Sequence, residues 1–383
     1  MDSKKYNNQK LGLGIAEGIL SFLLTLVFVY SGLSLKLENY LSAFTEEKYF
    51  IFTLFVISGT LTFGILIFPL SYIKDFYLEH KFGLSNQTFL KWILEDIKSL
   101  AVSLVIGIPI LLAFYFIMNK YQGMWWLPFA ILLFFVSVIL ARVVPVFILP
   151  LFYKVTPIDD EDLIGRIKNL AKDAGINVEN VYRFNMSKNT KKANAAFTGI
   201  GKSKRILLGD TLLDNFSNDE IETVIAHELG HYKKKHIIKN LIIGTASSFI
   251  TLFLISFLYE ISLHWFGFAA ITTIAALPLL ALWMMLVSLL TSPFTNILSR
   301  KFEYEADEYA VTSTLKADAF ILTLKKLTDQ NLGDKEPHPF VEWFFYSHPS
   351  IKNRTAAINK FVKNSDLFSG NTSGPEVIFG SNN

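Results

Sequence analysis

Six stretches of about 20 or more mostly apolar residues divide this chain. They fall at residues 11–35, 50–73, 100–118, 125–149, 237–259 and 266–292. A helix needs about 20 apolar residues to cross the hydrocarbon core of a bilayer. Inside that core every backbone N–H and C=O must be satisfied within the protein, which leaves helices and closed barrels as the spanning forms. The chain is therefore read as a polytopic α-helical membrane protein. Composition agrees: 51% of its 383 residues are hydrophobic and 18% charged, against about a quarter charged in soluble domains. Pro69, Pro109, Pro128, Pro145 and Pro278 fall within these stretches, where neighbouring helices can satisfy the freed backbone groups. The first stretch is too long for the apolar part of a signal peptide and no small-residue cleavage pattern follows it, so it reads as an anchor.

Lysines set the expected orientation. Lys4, Lys5 and Lys10 precede the first stretch, and Lys74, Lys81, Lys91 and Lys98 fill the second connection. The alternate connections hold only Lys36 and Lys48, then Lys120, then none. Both termini and the large polar regions are therefore expected in the cytoplasm. The chain divides into a polar N-terminal segment (1–10) and a four-helix membrane region (11–154) with a cytoplasmic connection near 74–98. A cytoplasmic α+β region (155–236), two further membrane helices (237–298) and a mostly helical C-terminal region (299–363) follow. The Gly-, Ser- and Asn-rich tail (364–383) lacks the apolar content to fold and reads as disordered.

In the first polar region, residues 160–174 have helical spacing, "VYRFNMS" reads as a strand, and "NAAFTGIGKSKRILLGD" as two strands around a turn at 199–203. "VIAHELGHYKKKH" (224–236) carries the chemistry. Ser217 and Glu220 form a capping-box pattern, so a helix starts near Asn218. Residues four apart on a helix lie about 40° apart around its axis. His227 and His231 can therefore grip one ion, while Glu228, beside the first, is placed to touch an activated water. This is the HExxH arrangement of zinc peptidases. Two core histidines and a surface glutamate would give the same letters, so a third ligand is required.

Catalytic zinc takes three protein ligands and keeps one position open. A histidine six residues after His231 would serve, but that position is Ile237. His236, about 140° around the axis from His231, is expected to point elsewhere. The remaining candidate is "SRKFEYEADEYA" (299–310), where Glu303 and Asp307 share a helix face and Glu305 points away. One carboxylate can bind the metal while the other holds a ligand histidine.

Other chemistries fail on residue grounds. Cysteine is absent, which removes thiolate metal sites and disulfides. "AFTGIGKSKR" lacks the first glycine of a phosphate loop, having Ala196 there, and a strand pattern follows it. Nucleotide binding is excluded, and a net charge of +3 gives no case for nucleic acid.

Taken together, "HELGH" (227–231), "EYEAD" (303–307), "NAAFTGIGKSKRILLGDTLL" before the metal helix, "YSHPSIKNR" (346–354) and "EHKFGLSNQT" (79–88) resemble the type I CAAX prenyl proteases. These are integral-membrane zinc metalloendopeptidases, and the resemblance spans about residues 50–361. It implies one zinc ion per chain on His227, His231 and Glu303. It implies Glu228 acting on the water, Asp307 as an active-site acid, Asn194 holding substrate backbone, and His348 and Arg354 near the scissile bond. Spacing suggests that Asp307 orients a histidine. Eukaryotic members have seven membrane helices around a chamber; this chain has six.

The expected fold is thus mainly α, about six membrane helices around a chamber with a small cytoplasmic α+β zinc-peptidase domain. The partners are the lipid bilayer and a peptide or protein substrate, prenylated or not, lying extended along the strand at 205–209 taken as a sheet edge. The membrane would be the plasma membrane of a prokaryote or the endoplasmic reticulum of a eukaryote. Two alternatives stand beside this: a general quality-control protease of the same superfamily, and a six-helix transporter with an incidental HExxH. The transporter would carry ionisable residues deep in its apolar helices; Glu17, near one end, is the clearest instance.

Overall fold

A computed structural model of the chain describes residues 2–176, 178, 181–198, 205–365 and 367. Its membrane half opens with α1 (Asp2–Tyr30) and a short α2 (Leu33–Ser42). α3 (Lys48–Ser71) runs through a π turn at Tyr72–Tyr77 into α4 (Leu78–Lys81). α5 (Phe89–Tyr121) follows, then α6 (Trp126–Val143), which continues through a second π turn at Val144–Ile148 into α7 (Leu149–Phe152). Proline has no N–H for the helical ladder and crowds the preceding turn. Both wide turns lie close to one, Pro69 and Pro145 respectively.

The half expected to be the peptidase then begins with β1 (Val155–Pro157), α8 (Glu161–Asp173), β2 (Val181–Phe184), β3 (Ala195–Thr198), β4 (Arg205–Gly209) and α9 (Asp210–Leu213). α10 (Asn218–Lys233) leads into the membrane helix α11 (His236–Leu263). α12 (Pro278–Thr314), α13 (Ala317–Gln330), α14 (Pro339–Phe345) and α15 (Ile351–Asn364) complete it.

Among the described residues six helices are long and apolar enough to cross a membrane, the number read from the sequence, with corrected ends. The first stretch stops at Tyr30 because Gly32 adopts φ 74°, and the polar 1–10 segment belongs to α1 from Asp2 onward. The last membrane span starts with a 3-10 turn at Ile274–Ala276 that leads into α12, and not at 266, because Gly267 at φ 75° ends the preceding helix. A left-handed glycine is the common stop for a helix, having no Cβ to clash. The turn expected at 199–203 and nearly all of the expected disordered tail lie outside the described residues. The membrane helices surround an apolar hollow of about 460 Å3, lined by residues such as Phe28, Phe55, Phe114 and Trp125.

The sheet order is β1-β2-β4-β3, with β2 and β4 parallel and the other pairs antiparallel. This corrects the expectation that residues 205–209 form the edge. β4 is paired on both sides, by β2 and β3, which explains why Ile206, Leu207 and Leu208 are all buried. The edge strand beside the metal helix is β3. The peptidase core joins Leu163 and Ile167 of α8, Ile206 and Leu208 of β4, Ile221, Ile225 and Leu229 of α10, and Phe320 of α13.

The segment "EHKFGLSNQT" docks the two halves together. Lys191 N–H donates to Leu84 C=O (2.9 Å), Asn86 N–H to Asn189 C=O (3.0 Å) and the Asn86 side chain to Ser187 C=O (2.8 Å). Glu79 is buried and accepts from Tyr6, Lys10 and Lys192. The start of α1 is therefore fixed against the strand-bearing side of the peptidase half.

Candidate metal centre

α10 begins where its capping box dictates. Ser217 Oγ accepts from Glu220 N–H (3.3 Å) and Glu220 Oε2 accepts from Ser217 N–H (2.8 Å). Its apolar face enters the peptidase core, which leaves His227, Glu228 and His231 on the side facing α12 and the cleft. α12 supplies the opposing wall by length alone. Glu303 lies about 38 Å along the helix from Pro278 at 1.5 Å per residue, beyond a hydrocarbon core about 30 Å thick. The last turns of this membrane helix thus become part of the peptidase half.

The two helices touch at Gly230. A Cβ there would lie 3.0 Å from Ala306 Cα and 3.1 Å from its carbonyl oxygen. This approach brings Glu303 Oε2 to 3.5 Å from His227 Nε2, and Glu303 Oε1 to 3.4 Å from His231 Nε2. The two Nε2 atoms are 3.3 Å apart. One ligand atom from each of His227, His231 and Glu303 lies within 4.8 Å of the other two. Glu303 Oε2 is buried without a hydrogen-bond partner, which is costly unless something else satisfies it. Two imidazole nitrogens and a carboxylate oxygen, converging with an open side, form a donor set that suits a catalytic metal ion. The residues fit a divalent ion.

The supporting groups are as specific. Asp307, 1% exposed, accepts from His227 Nδ1 at 2.9 Å. Burial alone would push the His227 imidazolium down, but Asp307 and then Glu303 outweigh it and raise the pKa to about 9. The pair of carboxylates therefore favours positive charge between them. Arg354 donates from Nε and a terminal nitrogen to both Asp307 oxygens, the Nε bond at 2.8 Å. Burial works against its charge, and Asp307 outweighs that and raises its pKa. The resemblance places Arg354 near the scissile bond; here its guanidinium pairs with Asp307, a buried carboxylate that needs a cation, while the residue also lines the cleft.

His348 stands at the mouth, its side chain 65% exposed and its Nε2 3.4 Å from Glu303 Oε1. Asn194, immediately before β3, and Glu228 line the same cleft of about 400 Å3 with His227, Glu303 and His348. The structure thus brings all eight candidate residues to one region. Asp307 and Arg354 lie at its back, and His348 and Asn194 at its open side.

The sequence reading sent His236 away from the site, and the structure reverses that. Its Nδ1 is 3.0 Å from His231 Nδ1, and its Nε2 is 2.9 Å from Glu305 Oε2. Asn331 was not singled out either. Its side chain accepts from Ala193 N–H (2.8 Å) and donates to Ala193 C=O (3.1 Å), a strand mimic at the entrance to β3.

Comparison with known proteins adds two family matches. Residues 157–362 match peptidase family M48, and residues 1–154 match the CAAX prenyl protease N-terminal family, described as five membrane helices. An uncharacterised metalloprotease, YhfN, of Bacillus subtilis is 31% identical over 92% of this chain and 83% of its own length. CAAX prenyl protease 1 of Saccharomyces cerevisiae is 33% identical over 76% of this chain and 68% of its own. The crystal structure of S. mikatae Ste24p superposes with a TM-score of 0.83 at 30% identity, covering 94% of this chain and 88% of that one.

Proposed function

From the premise that the chain belongs to peptidase family M48 and is an integral-membrane metalloendopeptidase, we propose that it works with one zinc ion held by His227, His231 and Glu303. It cuts lipid-modified peptides beside the bilayer, on the cytoplasmic side. The observation that carries this reading is the meeting of α10 and α12, with Glu303 3.5 Å and 3.4 Å from the two Nε2 atoms.

When bound, the ion supplies a Lewis acid that lowers the pKa of water and polarises a carbonyl. Glu228 takes the proton of the attacking water on its carboxylate and delivers it to the leaving amine nitrogen. Asp307 holds the Nδ1–H of His227, which leaves Nε2 as the ligand atom, and Arg354 keeps Asp307 ionised in its buried position. His348, at the open mouth, donates to the carbonyl oxygen as charge develops there.

The peptide lies extended against β3. Gly209 N–H donates to Asn194 C=O, so in an antiparallel ladder the flanking residues Ala193 and Ala195 point their backbone groups the other way. Asn331 occupies those of Ala193, and Ala195 opens on the cleft. Substrate backbone adds itself there, with Asn194 holding the next peptide unit.

Two observations favour a prenylated substrate: the apolar hollow among the membrane helices, and relatives named CAAX prenyl protease 1. The test compares a peptide ending in a prenylated cysteine motif with the same peptide unprenylated, each with and without a chelator. The prenylated form is expected to show at least about tenfold higher kcat/KM, since each buried CH2 is worth about 0.8 kcal/mol. Equal rates, both abolished by chelator, would contradict the substrate class while leaving the metalloendopeptidase intact.

A further inference from the structure

One metal-ligand histidine has a carboxylate directly behind it, and the other does not. His227 Nδ1 meets Asp307 at 2.9 Å. His231 Nδ1 meets another imidazole, that of His236, at 3.0 Å, and His236 Nε2 continues to Glu305 Oε2 at 2.9 Å. His236 is 1% exposed and lies flat on Phe302, ring centroids 4.2 Å apart with 10° between planes. Lys239 Nζ is 3.4 Å from the same Glu305 oxygen, an arrangement that suits an ionised carboxylate.

Proton counting along this line has one consistent answer. An ionised carboxylate can only accept, so His236 Nε2 carries a hydrogen. A neutral imidazole with hydrogen on Nε2 has its lone pair on Nδ1. The contact between the two Nδ1 atoms needs one hydrogen, which must then sit on His231 Nδ1. His231 Nε2 is left bare, 3.4 Å from Glu303 and 3.3 Å from His227 Nε2, where the ion would be held. A protonated His236 would reverse the last step, placing the His231 hydrogen on the nitrogen meant for the metal.

We propose that His236 and Glu305 are positioning residues for the metal: together they hold His231 in the tautomer that turns the Nε2 lone pair toward the ion. This rests on the metal centre proposed above. α12 then supplies one ligand, Glu303, and the terminal carboxylate behind each ligand histidine, Asp307 for one and Glu305 for the other.

The test titrates full-length, chelator-stripped protein with zinc against a chelating indicator and records the absorption spectrum of the cobalt-loaded form. His236→Phe keeps a ring on Phe302 but offers no acceptor. Glu305→Ala removes the terminal acceptor, and Glu305→Gln keeps an amide oxygen that can receive the His236 hydrogen. Zinc affinity is expected to fall about 10- to 100-fold in H236F and about tenfold in E305A, with a shifted cobalt spectrum in both and recovery toward wild type in E305Q. Wild-type affinity and spectrum in H236F would overturn the proposal, because packing alone would then explain the contact. If H236F does not fold, the Glu305 pair decides: wild-type affinity in E305A, or equal losses in E305A and E305Q, overturns it. Wild-type protein that takes up no zinc would instead refute the metal centre itself.

Discussion

Glu228 and Asp307 are two carboxylates of one site with opposite surroundings. Glu228 lines the open cleft, while Asp307 is buried between His227 and Arg354. The first opens on the cleft and the second does not. Glu228→Gln is therefore expected to lower kcat by about 10²- to 10⁴-fold with metal content unchanged, measured by peptide turnover and elemental analysis of the same sample. Retained turnover would remove Glu228 from proton transfer. Arg354→Met would leave Asp307 as a buried charge without its cation. A loss of about 3–5 kcal/mol is expected, read as a fall in the denaturation midpoint, whereas a substrate-contact role alone would change KM and spare stability. The histidines and Glu228 were legible because four-residue spacing defines a helix face. His236 was not, because that reading continued one straight helix past His231. The chain instead leaves α10 after Lys233, takes a left-handed turn at Lys235 (φ 58°) and starts α11. That turn carries His236 back against His231.

Among elements, the pairing of α10 with α12 sets the geometry of the site. At Gly230 the two helices leave no room for a Cβ against Ala306, one residue from His231 and three from Glu303. Gly230→Val must push the helices apart. An overpacking cost of about 1–3 kcal/mol and a marked loss of metal affinity are expected, measured by thermal denaturation and zinc titration. Unchanged metal affinity would mean that the close approach does not position the ligands. The convergence of the two helices is a long-range fact, yet part of it could be read: α12 is an apolar run followed by helix formers, so it had to emerge from the bilayer carrying Glu303. The sheet was less legible. Three of its four short strands were located by their residue types and β1 was missed, and β4 lies inside the sheet because β2 pairs with it in parallel across a long connection. Alternation along one strand carries no information on that pairing.

At the scale of the whole molecule, the start of α1 and the peptidase half lie on one side of the membrane helices, tied by Tyr6, Lys10 and Lys192 around Glu79. The number of membrane helices was read from length and apolarity, but this clamp was not, because its members come from three distant segments. We propose, from the lysine distribution, that this side faces the cytoplasm. The chain contains no cysteine, so single cysteines at Lys5, Glu46 and Lys234 can be labelled cleanly in intact cells. Lys5→Cys and Lys234→Cys should resist a membrane-impermeant thiol reagent, and Glu46→Cys should react; the opposite pattern would invert the orientation. The most direct test of the account is anomalous X-ray diffraction at the zinc edge from zinc-loaded crystals of the full chain. A single peak about 2.0–2.2 Å from His227 Nε2, His231 Nε2 and a Glu303 oxygen is the predicted result. A peak held by the two histidines with Glu303 turned away, or no peak between α10 and α12, would contradict it.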